Sequence, residues 1–128
     1  MHASSEDDTV YGGPAADELH LGAGYDYARG DGGSDVIRGG SEGDTFFGDD
    51  PFVSYNTDGQ DLLLGGDGTD NIHGGGKADT IRGNDNTYGA DELYGDNGQD
   101  DLRGGGGVDW ADGGIGADTC DAETEVNC

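Results

Sequence analysis

Apolar side chains recur along this chain every nine residues, a period that fits neither a helix nor a long strand. From Gly12 the sequence divides into nines, and the eighth place of each is small or apolar. Those residues are Leu19, Ala28, Ile37, Phe46, Leu63, Ile72, Ile81, Leu93, Leu102, Ala111 and Cys120, with Val10 in the same place ahead of the first full unit. The seventh and ninth places are mostly polar or aromatic. Three consecutive residues thus alternate out, in, out, which predicts a three-residue strand with one buried side chain. Glycine interrupts every stretch that might otherwise be helical and is a poor helix former. The pattern therefore predicts an all-β chain of short strands joined by six-residue turns.

Eleven units run from Gly12 to Asp121, preceded by a half repeat from Asp8 to Tyr11. The expected organisation is an N-terminal half repeat and cap over residues 1–11, one repeat domain over 12–121, and a C-terminal cap over 122–128. Two insertions, at 51–58 and 86–88, interrupt the register without ending it. Within a unit the first place is glycine except at Leu21, and the fourth is usually glycine, with Glu42 and Lys77 among the departures. Glycine suits places where φ is positive or carbonyls must converge. The sixth place is aspartate without exception: Asp8, Asp17, Asp26, Asp35, Asp44, Asp61, Asp70, Asp79, Asp91, Asp100, Asp109 and Asp118.

Composition changes the picture. The 128 residues carry a formal charge of −24 and 29 glycines, and only 30% are hydrophobic, a balance that by itself predicts disorder. Ordering the backbone costs roughly 1–2 kcal/mol per residue, and a dozen buried aliphatic side chains at about 1.5–3 kcal/mol each offset only part of that. A fold then needs a dense hydrogen-bond ladder, bound cations, or both. The acid is 23 Asp against 6 Glu, a bias expected of carboxylates that must reach a metal from a tight turn. Five Lys or Arg make no basic footprint for nucleic acid. No apolar run approaches membrane-spanning length, and the opening MHASSEDD shows no signal peptide.

The unit GGxGxDxUx resembles the haemolysin-type calcium-binding nonapeptide of the RTX family. That resemblance implies a right-handed parallel β-roll with two rows of calcium-binding turns, odd and even repeats forming opposite walls. One row would carry Asp17, Asp35, Asp61, Asp79, Asp100 and Asp118, and the other Asp8, Asp26, Asp44, Asp70, Asp91 and Asp109. Backbone carbonyls near places one to four would complete the ligand set, among them those of Gly30, Gly32, Gly39, Gly65, Gly74, Gly76, Gly95, Gly104 and Gly106. Asp50, Asp67, Asp85 and Asn97 stand at the third place, either as extra oxygen donors or as solvated turn residues. Oxygen donors on flexible turns suit Ca²⁺. Five gaps in each of two rows give on the order of ten ions, whose charge would offset most of the −24. The expectation is a chain that is disordered without calcium and folds on binding it.

Cys120 and Cys128 lie close enough to pair across the C-terminal cap, with Val126 over the last core layer; the alternative is a buried thiol and a free one. A disulfide and weak calcium sites both point to a secreted, extracellular protein. Residues resembling a catalytic grouping are missing: His2, His20 and His73 are scattered, so no enzyme is expected. Outward residues on one wall, Tyr11, Tyr27, Arg29, Phe47, His73, Tyr94 and Trp110, either stack on sugar rings of a polysaccharide or cell-surface partner, or shield a thin core. Phe52 and Tyr55 in the first insertion are a further candidate contact. End-to-end self-association through exposed strand edges is the third reading.

Overall fold

The computed structural model describes residues 1–52, 58–84 and 89–128. Asp85 and Tyr55, and the second insertion at 86–88, therefore lie outside the described residues. Strands account for the regular structure, with no helix among the described residues. They are β1 (Thr9–Gly13), β2 (Glu18–Ala23), β3 (Tyr27–Asp31), β4 (Val36–Ser41), β5 (Thr45–Asp49), β6 (Leu62–Asp67) and β7 (Asn71–Gly76). There follow β8 (Thr80–Arg82), β9 (Glu92–Gly98), β10 (Asp101–Arg103), β11 (Trp110–Asp112), β12 (Ile115–Gly116), β13 (Thr119–Asp121) and β14 (Thr124–Val126).

Alternate strands go to alternate walls. One sheet runs β1-β3-β5-β7-β9-β11-β14, with the short β12 beside β9, and the other runs β2-β4-β6-β8-β10-β13. Every strand pair is parallel, and equivalent places of successive repeats face each other, as in Val10 to Ala28 to Phe46 to Ile72. The result is a β-solenoid of about six turns. Strands buried against one another across so narrow a body leave room for few inward apolar side chains, one on most strands and two on β2. Val10, Ala28, Phe46, Ile72, Leu93 and Ala111 line one wall, and Leu19, Ile37, Leu63, Ile81 and Leu102 the other. Cys120 packs against the end of that core.

Leu21 shows that the first place also points inward: its side chain is fully buried among the core residues, where other repeats have only a glycine hydrogen. Both ends follow the repeat further than the glycine pattern reveals. His2 bridges His20 in parallel, and the carbonyls of Ser4 and Glu6 sit against Gly22 and Gly24, so residues 3–11 trace a nine-residue course that contains no glycine. At the other end β14 adds to β11, with Glu123 accepting the N–H of Asp109 at 2.9 Å as an aspartate does elsewhere. Val126 pairs with Asp112 and stays 39% exposed, while Ala122 and Cys120 lie against the core.

Candidate metal centre

The sixth-place aspartates form two continuous ladders. The N–H of each donates to Oδ1 of the equivalent aspartate one turn on: Asp17 to Asp35, Asp35 to Asp61, Asp61 to Asp79 and Asp79 to Asp100 on one side, all at 2.8 Å. Asp100 then donates to Asp118 at 2.9 Å. The opposite row runs Asp8, Asp26, Asp44, Asp70, Asp91, Asp109 by the same bond. After the first aspartate of each row, each carboxylate thereby has Oδ1 fixed by a backbone N–H of the preceding turn. The Oδ2 atoms of Asp26, Asp35, Asp44, Asp61, Asp79, Asp100, Asp109 and Asp118 are buried without a hydrogen-bond partner. A buried anionic oxygen without a partner is costly, and its repetition along both rows gives two lines of places suited to a cation.

A second oxygen meets it there. A Cβ built on Gly12 would lie 3.1 Å from Asp17 Oδ2 and 2.7 Å from the carbonyl of Gly30, the first glycine of the next turn. On Gly74 it would lie 2.6 Å from Asp79 Oδ2 and 2.8 Å from the Gly95 carbonyl. The same pairing of own-repeat carboxylate and next-turn carbonyl closes on Gly30, Gly39, Gly48, Gly65, Gly83, Gly95 and Gly113. Nine first-place glycines thus each open a cradle of oxygens that any side chain would fill. Leu21 stands at the first place of its own repeat and is fully buried. Gly104 has Asp109 beside it but no following glycine carbonyl, because a two-residue link, Ala122–Glu123, replaces the next turn.

Crowding carboxylates this way shifts their protonation. Burial pushes Asp35 and Asp100 up to about 6, Asp44 and Asp61 to about 7, and Asp79 to about 8. The ladder hydrogen bond opposes each rise, and neighbouring carboxylates reinforce it. These groups favour losing their charge or gaining a cation.

Of the carbonyls expected as ligands, those of Gly30, Gly65, Gly74, Gly95 and Gly104 point into cradles. The oxygens nearest the first-place glycines do not include those of Gly32, Gly39, Gly76 or Gly106. The structure adds the carbonyls of Gly48, Gly83, Gly113 and Asn127. The first three open their repeats as the others do, so the pattern already carried the signal. At the third place, Asp67 and Asn97 are exposed, whereas Asp50 pairs with Arg29 at 3.3 Å and accepts the Phe52 N–H at 2.8 Å. Sequence reasoning missed Asp49. Only 3% exposed, it accepts the N–H groups of Gly76 (2.9 Å) and Gly59 (3.3 Å), and burial pushes its carboxyl to about 6. Its signal was an acid at the second place, where glycine is commoner.

The RTX calcium-binding nonapeptide repeat model matches the chain in four copies, over residues 1–28, 26–50, 64–87 and 85–120. The chain belongs to this RTX calcium-binding repeat family. No curated protein and no solved structure gave a match.

The cradles fit the family's ion. Their donors are carboxylate and carbonyl oxygens only, the set that suits Ca²⁺. Among the described residues no three His, Cys, Asp or Glu side chains converge as a side-chain metal cluster would require. Each RTX cradle instead draws one carboxylate from its own repeat and takes further oxygen from backbone. Calcium bound there would supply the positive charge that the buried Oδ2 atoms lack.

Two other features complete the RTX roll. Cys120 and Cys128 form a disulfide with Cα atoms 5.8 Å apart. On the outer face of the first sheet one ring per strand makes a continuous ladder, Tyr11–Tyr27–Phe47–His73–Tyr94–Trp110, with neighbouring centroids 4.2–6.3 Å apart. Phe47, His73 and Tyr94 lie nearly parallel, at 16° and 1°. Arg29 sits over Tyr11 at 5.2 Å.

Proposed function

We propose that the chain is a secreted structural module that orders itself on extracellular calcium, with the ions forming part of its folded interior. The observation that carries this reading is the set of buried Oδ2 atoms of Asp35, Asp44, Asp61, Asp79, Asp100 and Asp118, which lack a hydrogen-bond partner and each meet a backbone carbonyl beside a first-place glycine. Without cations, the two ladders bring like charges together at the spacing of adjacent strands, about 4.8 Å. With them, on the order of ten divalent ions would neutralise most of the −24. The disulfide and the high calcium of extracellular fluid support the location.

Circular dichroism in chelator and then in rising calcium tests the reading. A disordered spectrum should convert to β structure as calcium is added. A chain already β-rich in chelator and indifferent to calcium would defeat it.

The outward rings support a packing role better than a sugar platform. A ring stacks on a sugar through its face, and the faces of His73 are covered by Phe47 and Tyr94. End-to-end assembly has no comparable support at the C-terminal end, where Glu125 occupies the register of Ala111 and puts an exposed carboxylate in place of a core side chain.

A further inference from the structure

The C-terminal end carries a cradle outside the repeat count. Gly113 and Asp118 belong to the last complete turn, so by sequence the row should end there. A Cβ on Gly113 would nevertheless meet the carbonyl of Asn127 and, at 2.8 Å, Asp118 Oδ2. Asp118 Oδ2 is buried without a hydrogen-bond partner, while its Oδ1 takes the Asp100 N–H at 2.9 Å. A cavity of about 550 Å³ opens at this point, lined by Gly114, Gly116, Ala117, Asp118, Asn127 and Cys128.

Asn127 stands where a repeat would place its first glycine. It follows β14 directly, and the Gly113 N–H donates to the Val126 carbonyl at 3.0 Å, as Gly83 does to Arg103 and Gly104 to Asp121. In the other cradles the upper carbonyl belongs to a glycine that opens a turn of the repeat. Asn127 is held differently. Its Nδ2 donates to Asp112 Oδ1 at 2.7 Å, its φ of 51° turns the chain inward, and the next residue is bonded covalently to Cys120 on β13.

We infer that the Cys120–Cys128 disulfide closes a terminal calcium site made by Gly113, Asp118 and the Asn127 carbonyl, beyond the sites that the glycine-aspartate repeat encodes. The inference rests on the calcium reading above. Its physical content is that a covalent link from the core to the chain end does for Asn127 what a following turn does for the glycine carbonyls. The cap is then a metal-binding element as well as a cover for the core.

Native mass spectrometry at saturating calcium, with the disulfide intact, tests it against the Cys120→Ser/Cys128→Ser double variant. The variant should hold one ion fewer while circular dichroism still shows the calcium-folded roll. An unchanged ion count in the folded double variant overturns the proposal. Should that variant fail to fold, Gly113→Ala serves instead, because its Cβ fills the cradle and leaves the disulfide in place; retention of the full count there also overturns it. A parent protein that binds no calcium at all would instead remove the reading on which the inference rests.

Discussion

Lys77 holds φ at 81° and Glu42 at 69°, both at the fourth place, where glycine is the usual occupant. A left-handed conformation costs a residue with a Cβ roughly 1–2 kcal/mol. Lys77→Gly should therefore stabilise the calcium-loaded fold by about 1 kcal/mol, read as a rise in melting temperature at fixed calcium; no rise would mean that Lys77 is held in other ways. Gly74→Ala acts in the opposite sense, since its Cβ would stand 2.6 Å from Asp79 Oδ2, and calorimetric titration should show one binding site lost. Protonation offers a direct check on the buried carboxylates. Their folded pKa values, about 6 to 8 for Asp35, Asp44, Asp61, Asp79 and Asp100, lie above the 3.8 of a free aspartate. The metal-free fold therefore binds more protons than the unfolded chain, so its stability falls as pH rises. That contribution is complete below about pH 4 and is lost as pH climbs through the folded values, toward about 8. Stripped of metal, the protein should gain β signal on acidification from pH 8 to 4. A flat response across that range would contradict the burial described for these groups.

The strands and turns were legible wherever a residue type had a single physical job. Apolar residues at the eighth place and aspartates at the sixth set strand, register and wall, and the observed pairing follows them from Val10 to Cys120. Where the signal was glycine alone, reading stopped short. Residues 3–11 take the repeat's course with no glycine, and Asn127 offers a carbonyl where a glycine would, because in both places backbone geometry is held by pairing with the neighbouring turn. Glu123 accepts the Asp109 N–H although two residues replace a six-residue turn, a substitution that composition could not announce. The insertions make the same point about elements. Ladder bonds join aspartates eighteen residues apart, but twenty-six across the first insertion and twenty-one across the second. The excess equals the inserted length, so the ladder keeps its register across both insertions. Removing residues 86–88 restores the common spacing and should leave the calcium midpoint for folding unchanged; a shifted midpoint would show that the second insertion contributes to its turn.

At the scale of the molecule, charge and core decide when the roll exists. The buried apolar side chains are one on most strands and two on β2, with alanine at Ala28 and Ala111, and cannot by themselves offset the entropy of ordering this backbone. The parallel ladders supply hydrogen bonds, but they also stack Asp on Asp in two rows. Cations bound in the proposed cradles would reverse the sign of that second effect, since binding to sites present only in the folded state stabilises that state by mass action. The transition should therefore involve the whole solenoid, because each ion of the proposed ladder would join neighbouring turns. Scattering gives the measure. An unfolded chain of this length has a radius of gyration near 37 Å, against about 14 Å for a compact domain, with a short rod somewhat above the latter. Chelator should hold the protein near the upper value, and calcium should bring it down in a single step that coincides with the gain of β structure. Asp79→Asn separates the two roles of one rung. The amide oxygen can still accept the Asp61 N–H that Oδ1 now takes, while the charge facing the Gly95 carbonyl is gone. This variant should be easier to order in chelator than the parent and should need more calcium to reach full order. Asp79→Ala, which loses both oxygens, should be worse in each condition. If the two variants behave alike, the carboxylates are acting only as hydrogen-bond acceptors, and the charge is incidental to the fold.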